Sequence, residues 1–333
     1  EAVVPPELIA AGFSAAERYF AQPEEVKLRD EIGAASATGK PARTGYTRVG
    51  AKMMPLRERG NLIESFIVSN HASALYETRL ALSEAEAAAG GAAGAGSGAP
   101  QVPMAPPPLQ WPAELGPSWR QVIDEYIVRM EVLARRLLAL IALALGMEAD
   151  YFDSATTPPG PLWRLRLCSY PADQQKVAEG AYGMPPHVDT SLLTIVASDE
   201  AEEPGLALHC ESLGGWVRAP ARPGALLVNS GDVLQSMTND AWPAARHYVG
   251  NPSAARTRRS LAYFINAMPA ARMDVLPSFV TPERPAKYLP TSWMEGQGVH
   301  RGGFFRLANP PRQCPAKTRG QPGRVSARAC QIS

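Results

Sequence analysis

His187-Val188-Asp189 sets an imidazole and a carboxylate two positions apart, and a second imidazole follows at His247. In an extended strand, residues two apart point to the same face, so His187 and Asp189 can converge on one ion with Val188 turned away. Two histidines and one carboxylate on one face of an octahedral ion leave three adjacent positions open. Non-haem Fe(II) uses that arrangement to hold a substrate and O2 together. A lone His-x-Asp is more often a structural pair, and only the combination with His247 and with Arg258-x-Ser260 further along points to a metal and to redox chemistry.

Arg258 and Ser260 would share a strand face. A guanidinium fork beside a hydroxyl is suited to gripping the far carboxylate of a dicarboxylate with two parallel hydrogen bonds. The bland alternative is a solvated basic cluster with Arg256 and Arg259. The other histidines carry less: His209 fits no ligand spacing and reads as a strand-surface residue, and His71 and His300 give no signal. Tyr182 and Met184, just before the metal motif, and Phe264, after Ser260, are candidates to line a substrate pocket.

The elements that must position these groups are short strands. Leu192 to Val196 is a β-prone apolar run, Gly224 to Asn229 followed by Gly231-Asp232 reads as strand and turn, and Arg246 to Val249 and Ser260 to Ile265 complete the series. The fold class is therefore mainly β with flanking helices, an antiparallel barrel or jelly roll with the site at its mouth. Ahead of it, residues 1–82 read as a helical N-terminal portion outside the barrel, with candidate helices over Ala11 to Asp30 and Leu62 to Leu82. Residues 83–112 form an Ala/Gly/Pro-rich insert that cannot bury a core. Within 113–160, Ser118 to Leu145 has helical apolar periodicity, a cap at Ser118 and a stop at Gly146. The β core is expected over 161–290, and a basic tail that reads as disordered over 291–333.

With 333 residues, 45% of them hydrophobic, the chain can bury a large core, and its net charge of +1 gives no reason to expect nucleic acid or an acidic membrane as partner. The apolar run ending the long helix is too short to span a bilayer. Four cysteines without Cys-x-x-Cys or disulfide-framework spacing suit a reducing, cytoplasmic compartment. A monomer is the default expectation.

Taken in order, His187-x-Asp189, Gly205-Leu206, Gly215-Trp216, Pro223-Gly224-Ala225, Val228-Asn229-x-Gly231-Asp232, Thr238-Asn239, His247 and Arg258-x-Ser260 resemble the 2-oxoglutarate and Fe(II)-dependent dioxygenases of the isopenicillin N synthase-like branch. Leu165-Arg166-Leu167-x-x-Tyr170-Pro171, Trp111-Pro112, and Phe20-Ala21-x-Pro23 with Lys27 and Gly45-Tyr46 extend the likeness over about residues 5 to 290. The resemblance implies a double-stranded β-helix core with Fe(II) held by His187, Asp189 and His247. It also implies 2-oxoglutarate as cosubstrate, its far end held by Arg258 and Ser260, with Tyr170 lining its pocket. The expected reaction uses O2 to convert 2-oxoglutarate to succinate and CO2 while a C–H bond of a small molecule is oxidised, giving hydroxylation, desaturation or ring closure. Cys168, Tyr248 and Asp240 depart from the family, which commonly has asparagine, arginine and glycine there. The family's opening strand is missing, so the start is expected to be truncated, and any targeting peptide with it. Two other readings stand beside the oxygenase: an Fe(II) oxidase that does not use 2-oxoglutarate, and a non-catalytic binding or scaffold relative.

Overall fold

The computed structural model describes residues 2–32, 44–50, 62–70, 111–156, 161–172, 182–199, 205–222, 224–250, 256–268 and 271–293. The expected insert up to residue 110, His71, His300 and the basic tail from residue 294 lie outside the described residues. Helices α1 (Pro6–Phe20), α2 (Glu24–Lys27), α3 (Gly116–Ala144) and α4 (Asp153–Thr156) flank two antiparallel sheets. The larger sheet has the order β1 (Gly45–Thr47), β2 (Glu64–Ser69), β3 (Leu162–Tyr170), β10 (Arg258–Asn266), β5 (Leu193–Ser198), β8 (Leu227–Ser230). The smaller has the order β4 (Met184–His187), β9 (His247–Val249), β6 (Leu206–Cys210), β7 (Gly215–Arg218). Helix α5 (Asp232–Met237) follows β8.

Strand alternation divides the large sheet into two working faces. Leu165 and Leu167 of β3, Leu193, Ile195 and Ala197 of β5, and Leu261, Tyr263 and Ile265 of β10 join the helices in one hydrophobic core. Helix α3 presents Trp119, Ile123, Tyr126, Met130, Ala134 and Leu138 to it, a stripe at three- and four-residue spacing. The Trp119 indole also donates to the Ala15 carbonyl at 2.8 Å, fastening α3 to α1. The packing is close, because a Cβ on Gly12 of α1 would stand 2.8 Å from Leu261 Cδ1. The opposite face of the same strands, with Arg166, Cys168 and Tyr170 on β3 and Arg258, Ser260, Ala262 and Phe264 on β10, lines a cavity closed from the other side by β4, β6 and β9.

Several expectations need correction. Residues 64–69 of the expected helix over Leu62 to Leu82 form strand β2, which pairs with β3 in the main sheet rather than lying outside it. Its alternation of Phe66 and Val68 into the helix-side core is a period of two, which the apolar count alone does not separate from a helix. The expected helix over Ala11 to Asp30 is divided at Ala21 to Pro23, before α2 and a 3-10 turn over Leu28–Asp30. The long helix begins at Gly116 with no side-chain cap, so Ser118 lies inside it, whereas Gly146, at φ 76°, does sit at its end.

Asp240, where the family commonly has glycine, adopts φ 66°, a conformation glycine reaches without strain. Its carboxylate accepts hydrogen bonds from Gln235, Lys287 and Tyr288, which pin the turn in place of the missing freedom.

The N-terminal portion is tied to the sheet by a buried charge pair. Lys27 Nζ lies 2.7 Å from Glu64 Oε2, and the Tyr46 hydroxyl donates to the same oxygen at 2.9 Å. Removing one partner strands a buried charge, so Lys27→Met is expected to cost about 3 kcal/mol in urea unfolding, and Lys27→Met with Glu64→Leu to recover most of it. A single-variant loss below about 1 kcal/mol would show that Glu64 is reached by water.

Candidate active site

Strands β4 and β9 pair so that His187 stands directly opposite His247, and their rings lie 4.3 Å apart between centroids. Strand β4 ends at His187, so Asp189 is not in the strand itself but in the turn that follows. The convergence survives that difference: Asp189 Oδ1 is 3.6 Å from His187 Nε2 and 3.8 Å from His247 Nε2. The three ligand atoms lie within 4.8 Å of one another, close enough to hold one metal ion. Bonds of about 2.1 Å at right angles would draw neighbouring donors to roughly 3 Å, a small inward movement.

Each donor is oriented by a hydrogen bond behind it. His187 Nδ1 lies 2.8 Å from the Pro185 carbonyl and His247 Nδ1 2.8 Å from the Ala245 carbonyl. A carbonyl only accepts, so both Nδ1 atoms carry the proton and both Nε2 lone pairs face the ion position. Asp189 Oδ2 accepts from Thr194 Oγ1 at 2.7 Å and from Asn229 Nδ2 at 2.9 Å, leaving Oδ1 for the ion. The turn is also packed from below: a Cβ on Gly231 would fall 2.1 Å from the Ser191 carbonyl oxygen, so only glycine fits there.

The charges fit a cation. Burial alone would raise the Asp189 carboxyl, yet the adjoining His187 and His247 and the Asn229 amide hold it well below the usual carboxylate range. Burial lowers the His247 pKa against the pull of Asp189, with His187 adding to the lowering.

Beyond Ser260 on β10, at the far end of the cavity, Arg258 is buried, and its Nη2 donates to Ser198 Oγ at 2.9 Å. Its Nη1 is buried and has no hydrogen-bond partner among the described residues, which is costly for a guanidinium unless an anion binds there. The group lies over the Tyr170 ring at 5.0 Å, and the Tyr170 and Ser260 hydroxyls are hydrogen-bonded. Burial, and next the neighbouring Cys168, push the Tyr170 phenol up to about 12, so it remains a hydrogen-bond donor. Between Arg258 and the triad lies a cavity of about 70 Å³, room for several water-sized groups.

The family model of the 2OG-Fe(II) oxygenase superfamily matches residues 164–267, a span that contains the triad, Tyr170, Arg258 and Ser260. Over that span the chain is similar to the 2OG-Fe(II) oxygenase superfamily. It is 30% identical over 203 residues to gibberellin 2-beta-dioxygenase 1 of Oryza sativa subsp. japonica, covering 52% of this chain and 52% of that protein. It is 27% identical over 290 residues to the 2-oxoglutarate-Fe(II) type oxidoreductase hxnY of Emericella nidulans, covering 86% of this chain and 74% of that one. The match thus spans about half the length of the first relative and about three-quarters of the second. The crystal structure of the dioxygenase for auxin oxidation in rice superposes with a TM-score of 0.62 at 22% identity, over 89% of this chain and 81% of that one. The likeness shows the fold: a double-stranded β-helix, or jelly roll, with flanking helices.

Within this oxygenase fold, His187, Asp189, His247, Arg258, Ser260, Tyr170, Met184 and Phe264 all reach one cavity. Tyr182 does not line it; exposed, it packs edge-on against Tyr248 at 5.3 Å. His209 is exposed on β6 against Trp216, as expected. Thr194, Asn229 and Ser198 take no role from the sequence alone, since nothing local marks a side chain that holds another. Their signal is alternation on strands that the apolar runs identify.

Replacing Thr194 by Val or Asn229 by Leu is expected to weaken Fe(II) binding about 10- to 100-fold in anaerobic titration, as removal of a hydrogen bond behind a ligand does. Unchanged affinity in both would show that Asp189 needs no such support. Because burial lowers the His247 pKa, protonation of His247 should weaken Fe(II) binding only below its ordinary value of about 6.5. A decline already complete at pH 7 would contradict this reading of His247.

Proposed function

We propose that the protein is an Fe(II)- and 2-oxoglutarate-dependent oxygenase of a small molecule, with succinate and CO2 as co-products. The observation that carries this is a buried Arg258 whose Nη1 has no hydrogen-bond partner among the described residues, in the same cavity as a two-histidine, one-carboxylate cluster. His187, Asp189 and His247 would hold the iron, and Arg258 with Ser260 the far carboxylate of 2-oxoglutarate, with Tyr170 packed beneath the guanidinium. When bound, iron and 2-oxoglutarate supply the oxidising power toward a C–H bond, with O2 as oxidant. The chain's own part is orientation and exclusion of water. Its carbonyl-locked histidines fix the ligand face, Ser198 fixes the Arg258 fork, and apolar Met184, Leu206, Val249 and Phe264 keep the cavity dry.

In this reading residues 161–290 form the catalytic core, and 1–82 and 113–160 support it. The protein works as a cytoplasmic monomer without a nucleic-acid partner. Near-neutral charge and free Cys168 and Cys210 support that view, as does the lack, among the described residues, of any helix long and apolar enough to cross a membrane.

The test is succinate release from 2-oxoglutarate with Fe(II) and O2. Wild-type protein should release it, His187→Ala should not, and Arg258→Gln should raise the KM for 2-oxoglutarate about 100-fold, the loss of a paired charged contact. Iron-dependent O2 consumption without succinate would instead mark an Fe(II) oxidase.

A further inference from the structure

Cys168 lines the cavity together with Tyr170, Arg258 and Ser260, and the oxygenase reading gives its thiol no work. In the large sheet it stands directly opposite Ser260 of β10, and Ser260 stands opposite Ser198 of β5. Side chains paired in this way lie about 5 Å apart at Cβ, so the three form one rung of the sheet. Arg258 and Tyr170 are paired on the next rung. The Arg258 guanidinium lies over the Tyr170 ring and also reaches Ser198 Oγ at 2.9 Å, so it bridges the two rungs beside the thiol.

The thiol's own contact is weak, a donation to the Arg166 carbonyl at 3.7 Å. Arg258, only 6% exposed, has an Nη1 without a hydrogen-bond partner among the described residues. A thiol enclosed by apolar packing is inert. Cys168 instead borders a space of about 70 Å³, which admits a molecule the size of hydrogen peroxide.

We infer that Cys168 is a modification site, at which a peroxide switches off cosubstrate binding. The inference rests on the oxygenase reading of the same cavity. The sulfur attacks one peroxide oxygen: an S–O bond forms and the O–O bond breaks. Sulfur loses two electrons to become a sulfenic acid, and hydrogen peroxide is reduced to water. The new oxygen is a better acceptor than the thiol, and Arg258 Nη1 and the Ser260 hydroxyl are the donors beside it. It takes up the space and the donors that the far carboxylate of 2-oxoglutarate needs. Linkage makes the effect reciprocal, so bound 2-oxoglutarate shields the thiol. A small thiol reverses the step: it forms a mixed disulfide with loss of water, and a second thiol then releases Cys168.

The test treats the metal-free protein with hydrogen peroxide, removes the peroxide with catalase, and then titrates Fe(II) and 2-oxoglutarate anaerobically while following the visible band of their complex. Sulfenic acid is read in parallel by dimedone labelling and peptide mapping, which separates Cys168 from Cys210, Cys314 and Cys330. Treatment should label Cys168 and raise the 2-oxoglutarate concentration needed for the band about ten-fold or more, and dithiothreitol, removed before titration, should restore it. Cys168→Ala, or Cys168→Ser should the alanine variant not fold, should keep its own untreated affinity within about two-fold after peroxide. Zn(II) and 2-oxoglutarate bound before treatment should slow the labelling of Cys168 about five-fold or more. No label at Cys168, an equal loss of affinity in the variant, a loss that dithiothreitol does not reverse, or labelling indifferent to bound Zn(II) and 2-oxoglutarate would overturn the inference. The untreated complex is measured first: its failure would overturn the oxygenase reading and this inference with it, whereas a normal complex whose formation peroxide leaves unchanged would overturn this inference alone.

Discussion

A buried carboxylate at the junction of two sheets is the constraint on which the rest of this structure turns. Asp189 leaves the end of β4 in the small sheet, yet its outer oxygen is held by Thr194 of β5 and Asn229 of β8 in the large one. A carboxylate so enclosed is tolerable only with strong partners. Its second oxygen faces two histidines whose protons are committed elsewhere. That leaves a concentration of negative potential and lone pairs with a metal ion as its natural complement. The cross-strand pairing of His187 with His247 and the glycine at 231 both serve to keep that oxygen where the ion needs it.

Alternation on the large sheet does the remaining work. One face of β3, β5 and β10 is consumed by apolar packing on α1 and α3, which makes these strands rigid. The other face can then carry groups that are expensive to bury, Arg166 and Arg258 among them, in fixed positions along one cavity. Stability and chemistry thus occupy alternate residues of the same strands. The Lys27–Glu64 pair extends this frame to the N-terminal portion, anchoring α2 to β2.

Much of this is legible in the sequence because the candidate metal and cosubstrate groups sit two apart or on apolar runs whose period is plain. His187, Asp189, His247, Arg258 and Ser260 can be read that way, as can the long helix and its stop at Gly146, whereas Tyr170 comes only from the family resemblance. What is not legible depends on the third dimension. Strand β2 reads as helix, because a short apolar segment inside a longer mixed one shows either period until its sheet neighbour is known. Nearness to β4 suggests Tyr182 for the pocket, but its ring turns outward to Tyr248. Thr194, Asn229 and Ser198 escape a sequence reading because their role lies in what they hold.

The central claim is that the triad and Arg258 form one site for iron and 2-oxoglutarate together. The most direct measurement is anaerobic titration of the apo protein with Fe(II) and then 2-oxoglutarate, watching for the weak visible charge-transfer band of the chelated complex in wild type, His187→Ala and Arg258→Gln. The account requires the band in wild type, its loss in His187→Ala, and a much higher 2-oxoglutarate concentration to produce it in Arg258→Gln. Iron binding without the band in wild type, or a band indifferent to Arg258, would contradict it.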